Sequence, residues 1–171
     1  MKTKFSIIIP CYNSEKWIEE SLVSALTQTY SDVEVIFVDN ESTDRSVEIA
    51  KEVHEKYPGL ILSSAKNIYP NCWDEARSEG FRLMTGDYVL VMGSDDYLDK
   101  KFIENCTKII EDSPVKISVF QSAIKGVKED TDIIINTIVH RYNSIEEFKR
   151  LSMERCPVNT PTVVYSTQLY K

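Results

Sequence analysis

The sequence predicts an α/β protein with a mainly parallel central sheet, and three observations lead to this prediction. Apolar, β-branched runs alternate along the chain with segments whose apolar residues recur at helical spacing. The runs are hydrophobic almost throughout, which is typical of strands covered on both faces. A connection between parallel strands must cross a face of the sheet, and the intervening segments are long enough to be such crossover helices.

The elements follow one another as strand and helix over the first two thirds of the chain. The predicted strands cover residues 5–10, 33–38, 60–63 and 88–92. The predicted helices carry their inward residues within 17–26, 47–53, 73–84 and 102–110. Side chains suited to helix starts precede them: Asn13 and Ser14, Thr43 and Asp44, Asn71, and Asp99. Trp17 and Trp73 fall at inward helical positions, so we expect both indoles in the core.

The pattern changes beyond the fourth helix. Residues 115–120 and 132–139 resemble strands, and the polar stretch 125–130 between them indicates a hairpin or meander. Ser144 followed by Glu147 is a capping-box pattern for a short helix, and residues 160–165 predict a last strand. No linker is long enough to separate two folded units, so we expect one domain over residues 1–171.

Composition and charge exclude several classes of protein. Asp and Glu number 27 against 20 Lys and Arg, for a net charge of -7, so the basic surface that nucleic-acid binding needs is missing. No apolar run approaches the roughly 20 residues of a membrane-spanning helix. The apolar start ends at Pro10 and is too short for a signal peptide, and the four cysteines are far apart. These features favour a cytoplasmic protein with reduced thiols.

Polar residues follow the first, second and fourth predicted strands. These loops comprise residues 10–13, 39–44 and 93–96. In an open parallel sheet the carboxyl ends of the strands meet at one edge, where ligands bind, so we expect the three loops to face one crevice. Neither G-x-G-x-x-G nor G-x-x-x-x-G-K-[ST] is present, so a glycine-rich phosphate cradle is excluded.

Asp95 and Asp96 are the candidate metal ligands. Taken alone, adjacent aspartates are more often solvated turn residues. Here they directly follow a hydrophobic strand and Gly93, and their charge would repel a nucleoside diphosphate bound at this edge. A divalent cation removes that conflict, because carboxylate oxygens bind Mg²⁺ or Mn²⁺ and phosphate oxygens complete the shell. The sequence therefore predicts a Mg²⁺ or Mn²⁺ site at this pair.

Three ordered blocks resemble the inverting glycosyltransferases of family 2, which have the GT-A fold. The blocks are FSIIIPCYN, ALTQTYSDVEVIFVDNESTD and EARSEGFRLMTGDYVLVMGSDDYL, within about residues 4–112. The resemblance implies a Rossmann-like α/β/α sandwich of the GT-A type. It also implies transfer of a sugar from a nucleotide-diphosphate sugar to an acceptor hydroxyl with inversion, with Mg²⁺ or Mn²⁺ on the diphosphate.

The resemblance also assigns roles to residues by position. It implies a donor- and nucleotide-binding set made up of Pro10, Cys11, Tyr12, Asp39, Asn40, Arg77 and Asp95. Within this set Tyr12 would stack on the base, positions 39 and 40 would contact the base edge, and Arg77 would approach the donor. Asp96 would ligate the metal, with Asp95 at the ribose or the metal. A surface ion pair is the plain alternative for Arg77.

The chain departs from the family pattern at three positions. Asn40 stands where the family often has a second aspartate, Gly93 replaces the first aspartate of D-S-D-D, and Ser78 replaces an asparagine. An amide oxygen is a weaker acceptor than a carboxylate and the amide can also donate, so the base stays open, with a UDP-sugar as the expected donor.

The resemblance further implies a division of the chain into two halves. Residues 1–97 would form the donor-binding half, and residues 98–171 the beginning of an acceptor half that is truncated. The family's general base lies in a later segment, so we expect it beyond Lys171 and name no catalytic residue. The acceptor would be a saccharide or a lipid-linked saccharide in bacterial-type polysaccharide or glycoconjugate synthesis, which implies peripheral association with the inner face of the membrane.

Two other functions remain open at this point. A non-catalytic nucleotide-sugar binding module, or an inactive fragment, would keep the donor crevice without transfer. A receiver-like signalling domain would also hold Mg²⁺ at strand ends, but no lysine stands at a late strand end to pair with a phosphorylated aspartate.

Overall fold

A computed structural model describes residues 2–68, 74–113, 119–121, 124–128, 131–135 and 163–169. Its elements, in chain order, are β1 (Phe5–Cys11), α1 (Ile18–Leu26), β2 (Val33–Asp39), α2 (Ser46–Lys56), β3 (Leu60–Ser64), α3 (Asp74–Leu83), β4 (Tyr88–Val91), α4 (Phe102–Glu111), β5 (Val119–Gln121), β6 (Ile124–Lys128), β7 (Thr131–Ile135) and β8 (Val163–Ser166), followed by a 3₁₀ turn (Thr167–Leu169).

The central sheet contains six strands in the order β3-β2-β1-β4-β8-β5. The first four of these strands are parallel to one another. Strand β8 runs antiparallel to both of its neighbours, and β6 and β7 form a separate antiparallel pair. The prediction of an α/β protein with a mainly parallel sheet is therefore confirmed.

The central strand β1 divides the core into two layers because its side chains alternate between the faces of the sheet. Ile7 and Ile9 pack with residues of α1, α2 and α4 on one face, and Ile8 packs with Ala76 of α3 on the other. A methyl group on Gly80 would collide with Cγ2 of Ile8, so α3 lies close against the sheet. The result is an α/β/α sandwich.

The prediction that Trp17 lies in the core is wrong. Helix α1 begins one residue later, and its inward row is Ile18, Leu22 and Ala25, each at most 1% exposed. Trp17 lies about 100° from this row and is 49% exposed. Trp73 lies outside the described residues.

Predicted side chains accept hydrogen bonds at the starts of α2 and α4, but not at the start of α1. Asp44 Oδ1 accepts a hydrogen bond from the N–H of Ser46, the first residue of α2. Asp99 Oδ1 likewise accepts from the N–H of Lys101 just before α4. At α1 the carbonyl of Ser14, and not a side chain, accepts from the N–H of Ile18. Asn71, Ser144 and Glu147 lie outside the described residues.

The hairpin after α4 is present, but its strands differ from those predicted. Much of the stretch 125–130, which was expected to connect two strands, belongs to β6 and pairs with β7. The polar composition misled the prediction, because a strand in a two-stranded hairpin is fixed by backbone pairing across a short turn rather than by hydrophobicity. The last predicted strand is confirmed as β8. Among the described residues, no helix combines the length and hydrophobicity needed to cross a bilayer.

Candidate functional site

The carboxyl ends of three neighbouring strands meet at one edge of the sheet. The last residue of β1, Cys11, lies opposite the last residue of β2, Asp39. On the other side of β1, the N–H of Met92 after β4 donates to the carbonyl of Ile8. The loops at residues 12–17, 40–45 and 92–101 therefore leave the sheet side by side, and we call this region the carboxyl edge.

The end of β1 contributes mainly through its backbone. The backbone of Pro10 points toward β4, as that of Ile8 does, but Ile8 is the last residue of β1 that pairs with β4. The missing N–H of Pro10 therefore costs no hydrogen bond to β4. Cys11 is 1% exposed, and burial raises the pKa of its thiol. Its carbonyl accepts a hydrogen bond from the N–H of Asn40 at 2.8 Å. Of Pro10, Cys11 and Tyr12, only Tyr12 is partly exposed.

The end of β2 forms a tight turn around Asp39. Both carboxylate oxygens of Asp39 accept from the N–H of Ser42, at 3.2 and 3.3 Å, and its carbonyl accepts from Ala65 after β3. Asn40 is 2% exposed, and Glu41 has a positive φ of 62°. This turn links the ends of β2 and β3.

Asn67, after β3, is a candidate that the sequence analysis missed. Its N–H donates to Glu41 Oε2 at 3.1 Å, and within the described part of the chain its buried Oδ1 has no hydrogen-bond partner. A buried acceptor without a donor is costly, so such an atom is suited to receive an N–H from a ligand. Little in the sequence pointed to Asn67, because a single asparagine after a short strand is also a common turn residue.

Asp95 and Asp96 bring their carboxylates together over Gly93. A methyl group at position 93 would lie 2.5 Å from Asp96 Oδ2 and 2.8 Å from Asp95 Oδ1. The N–H of Asp96 donates to the Gly93 carbonyl, which closes the turn. Among the described residues no side chain donates a hydrogen bond to either carboxylate, and a divalent metal would relieve the repulsion between the two negative groups.

The direction of the pKa shift of Asp96 agrees with a metal site at this pair. Burial raises the pKa of Asp96, the negative charge of Asp95 raises it further, and a hydrogen bond from the backbone of Gly93 to the carboxylate lowers it. The described residues contain no group of three His, Cys, Asp or Glu side chains that could hold a metal. Two carboxylates with the remaining ligands from water and phosphate oxygens suit Mg²⁺ or Mn²⁺, which are commonly bound in this way.

Arg77 pairs with an acid of its own helix. It lies on α3, and its Nη1 is 3.8 Å from Asp74 Oδ1. Its side chain is 37% exposed and that of Asp74 is 76% exposed, so the pairing is weak and leaves the guanidinium able to reorient. The structure thus brings together the ends of β1, β2 and β4, and leaves Arg77 with a different partner.

The sheet order, the antiparallel β8 and the acidic carboxyl edge define an α/β protein of the GT-A type. Residues 6–169 match the family model for glycosyl transferase family 2, so the chain belongs to that family. A receiver-like domain is thereby excluded.

Curated relatives of the chain are bacterial glycosyltransferases. It is 26% identical over 178 residues to poly(ribitol-phosphate) beta-glucosyltransferase of Bacillus spizizenii, covering 96% of this chain and 28% of that protein. It is 33% identical over 128 residues to poly(ribitol-phosphate) beta-N-acetylglucosaminyltransferase TarS of Staphylococcus aureus, covering 72% of this chain and 21% of that protein. The chain therefore spans less than a third of either relative.

Solved structures have the same architecture. TarS 1-349 of S. aureus in complex with UDP-GlcNAc superposes with a TM-score of 0.64 at 26% identity, over 97% of this chain and 46% of that one. The mannosyltransferase PcManGT of Pyrobaculum calidifontis in complex with GDP-Man and Mn²⁺ gives a TM-score of 0.63 at 25% identity, over 74% and 36%.

Proposed function

We propose that this chain binds a nucleotide-diphosphate sugar, with a UDP-sugar as the favoured donor, as part of a metal-dependent inverting glycosyltransferase. The observation that carries the proposal is the convergence of Asp95 and Asp96 over Gly93, beside the ends of β1 and β2, in a member of glycosyl transferase family 2. The similarity to TarS solved with UDP-GlcNAc covers 97% of this chain and that to the GDP-Man enzyme covers 74%, which favours uridine over guanosine.

Asp95 and Asp96 would hold the metal, Mg²⁺ or Mn²⁺. When bound, the ion supplies Lewis-acid stabilisation to the departing nucleoside diphosphate. The protein's own contribution is to hold two negative side chains at the point where the diphosphate must lie. Without the cation, this edge would repel the diphosphate.

The nucleoside would lie over the ends of β1, β2 and β3. Tyr12, the partly exposed aromatic residue after β1, would stack on the base. Asp39, Asn40 and Asn67 would contact its edge, and the unpartnered Oδ1 of Asn67 would accept an imide or amino N–H. Pro10 and Cys11 would shape this wall through their backbone.

Arg77 would exchange its weak pairing with Asp74 for the donor when the nucleotide sugar binds. Its guanidinium is suited to a phosphate or carboxylate, because its planar fork donates two parallel hydrogen bonds. A half-exposed side chain can make this exchange with little loss of packing.

We further propose that residues 1–97 form the donor half and residues 98–171 begin the acceptor half. The acceptor would be a saccharide or lipid-linked saccharide in bacterial-type polysaccharide or glycoconjugate synthesis, in line with the two bacterial relatives named for poly(ribitol-phosphate). Work at the cytoplasmic face of the membrane would bring the enzyme to a lipid-linked acceptor. The proposal assigns donor binding to named residues and assigns no general base.

Titration calorimetry with UDP, with and without Mn²⁺, tests the proposal. We expect binding that depends on Mn²⁺ and is lost in Asp96→Ala, whereas Glu55→Gln, an exposed acid on α2, binds as the wild type does. UDP binding that is the same with and without metal, or unchanged in Asp96→Ala, would contradict it. Release of UDP from UDP-sugars by the wild type separates an enzyme from a binding module, which would bind without turnover.

A further inference from the structure

The acidic loop at residues 92–101 has little regular structure of its own, yet it is tied along its length to α1. The ties come from four polar side chains in or beside α1, which we call the polar stripe: Ser14, Ser21, Ser24 and Gln28. The last three are three and four residues apart, a spacing that places side chains on one face of a helix.

Two residues of the stripe hold the part of the loop that carries the carboxylates. Ser14 Oγ lies 2.6 Å from Ser94 Oγ, and Ser94 directly precedes Asp95. Ser21 Oγ donates to the carbonyl of Gly93 at 3.3 Å. Both serines are buried, at 9% and 1% exposure, so water competes little for these hydrogen bonds.

The other two residues hold the end of the loop that leads into α4. Ser24 Oγ accepts from the N–H of Leu98 at 3.1 Å. Gln28 uses both ends of its amide: Nε2 donates to the Asp99 carbonyl at 2.9 Å, and Oε1 accepts from the N–H of Ile103 at 3.0 Å. The loop is therefore fixed on both sides of Asp95 and Asp96.

The helix that carries the stripe is itself firmly anchored. A neighbouring row of the same helix, Ile18, Leu22 and Ala25, is buried in the larger core layer. A loop that brings two like charges together gains nothing from that approach before a cation binds, so its shape has to be imposed by neighbouring groups.

We propose that the polar stripe positions Asp95 and Asp96 for the divalent cation, so that its four residues are positioning residues of the donor site. The inference rests on the proposed function. Such supporting contacts typically change metal affinity by about 10- to 100-fold when removed.

Ser14 extends this role from the metal to the nucleoside. Its Oγ also lies 3.4 Å from the Tyr12 carbonyl, and its N–H donates to Ser46 Oγ at 2.8 Å at the start of α2. One residue thus joins the loop of the metal ligands to the loop of the base-stacking candidate and to the second helix. We expect substitution of Ser14 to weaken both metal and UDP binding.

The test compares three variants with a matched control. Ser14→Ala, Ser24→Ala and Gln28→Met remove loop contacts, whereas Thr27→Val, just after α1, removes a hydroxyl whose one hydrogen bond among the described residues is to the Val23 carbonyl of α1. Mn²⁺ affinity is measured by electron paramagnetic resonance in the presence of UDP, alongside the melting temperature. We expect about a tenfold loss in the three variants, no more than about a twofold loss in Thr27→Val, and recovery in Ser24→Thr, which keeps the accepting oxygen.

Hydrogen exchange supplies a readout that does not involve the metal. The amide of Leu98 should exchange about tenfold faster in Ser24→Ala than in Thr27→Val, because it loses its acceptor. If Ser14→Ala fails to fold, the less buried Ser24 and Gln28 carry the test.

Two failures of the test are distinguishable. If the wild type binds Mn²⁺ with UDP and the three variants bind equally well, or the Thr27→Val control loses as much, the positioning role is overturned and the proposed function stands. If the wild type itself binds no Mn²⁺ with UDP, the proposed function is overturned and this inference with it.

Discussion

The two edges of the sheet handle acidic side chains in opposite ways. At the opposite edge, where β1 and β2 begin and which we call the amino edge, Glu34 is 9% exposed and accepts hydrogen bonds at both carboxylate oxygens. Its Oε1 accepts from Ser6 Oγ at 2.6 Å and from the N–H of Thr85, and its Oε2 accepts from Thr85 Oγ1 at 2.6 Å and Lys4 Nζ at 2.7 Å. At the carboxyl edge the carboxylates of Asp95 and Asp96 converge over Gly93, and no described side chain donates a hydrogen bond to them.

The pKa values of the two edges move in opposite directions. Burial alone would raise the pKa of Glu34, but the hydrogen bonds from Lys4, Ser6 and Thr85 outweigh it and lower the pKa to about 2. The pKa of Asp96 is raised by burial and by Asp95. A carboxylate whose charge is fully compensated stabilises the fold, whereas an uncompensated pair is suited to bind a cation. Substitutions at the two edges should therefore affect different properties.

The largest expected effect is at the carboxyl edge. Asp96→Ala should reduce Mn²⁺ affinity by about 100-fold or more, because it removes a metal ligand. The free energy of unfolding should change by no more than about 0.5 kcal/mol, since the lost backbone hydrogen bond from Gly93 is offset by removal of the like-charge contact with Asp95. Calorimetry and urea denaturation measure the two quantities. If Asp96→Ala lost much of its free energy of unfolding as well as its Mn²⁺ affinity, the proposed difference between the two edges would be wrong.

The reverse result is expected at the amino edge. Glu34→Ala should lower the free energy of unfolding by about 2–3 kcal/mol, because it leaves the donors of Ser6 and Thr85 without their acceptor. UDP affinity in Mn²⁺ should stay within about twofold of the wild type at temperatures where the variant is folded. A variant as stable as the wild type would show that this network adds nothing to the fold.

The pH dependence of stability should also report on Glu34. The folded-state pKa of about 2 lies below the unfolded value of 4.5, so the native state binds fewer protons. Its contribution is fully present above about pH 4.5 and is lost as the pH falls toward 2. Acid denaturation of Glu34→Gln should be flatter than that of the wild type in this range. Curves of equal slope for the two proteins would contradict the assignment.

A smaller effect is expected at Gly93. Gly93→Ala should weaken Mn²⁺ binding by roughly three- to tenfold, because the methyl group would push the two carboxylates apart. Both contacts are with the ends of flexible side chains, so the melting temperature should change little. Gly59→Ala is the matched control, since a methyl group there meets nothing within 4 Å. Equal Mn²⁺ affinity in both variants would show that the carboxylates do not need this space.

Much of the fold could be predicted from the sequence because local and global signals agree. The first four strands are hydrophobic runs and the helices between them show regular spacing, so position in the sheet follows from the pattern. The errors occur where local pattern is not decisive. Trp17 was misplaced because the start of α1 depends on the Ser14 carbonyl, and β6 was missed because its pairing depends on β7.

The site could be predicted only in part. Asp39, Asp95 and Asp96 follow buried strands, so their edge could be inferred from the order of the elements. The polar stripe could not, because a serine on a helix is ordinarily a neutral surface residue, and its role depends on which loop packs beside it. Asn67 was missed for the same reason.

The most direct test of the central claim is a crystal of this protein soaked with Mn²⁺ and UDP and measured at the manganese absorption edge. If Asp95 and Asp96 bind the metal, an anomalous peak should appear in contact with their carboxylate oxygens and with the diphosphate. UDP bound elsewhere, or a manganese peak away from both carboxylates, would contradict it.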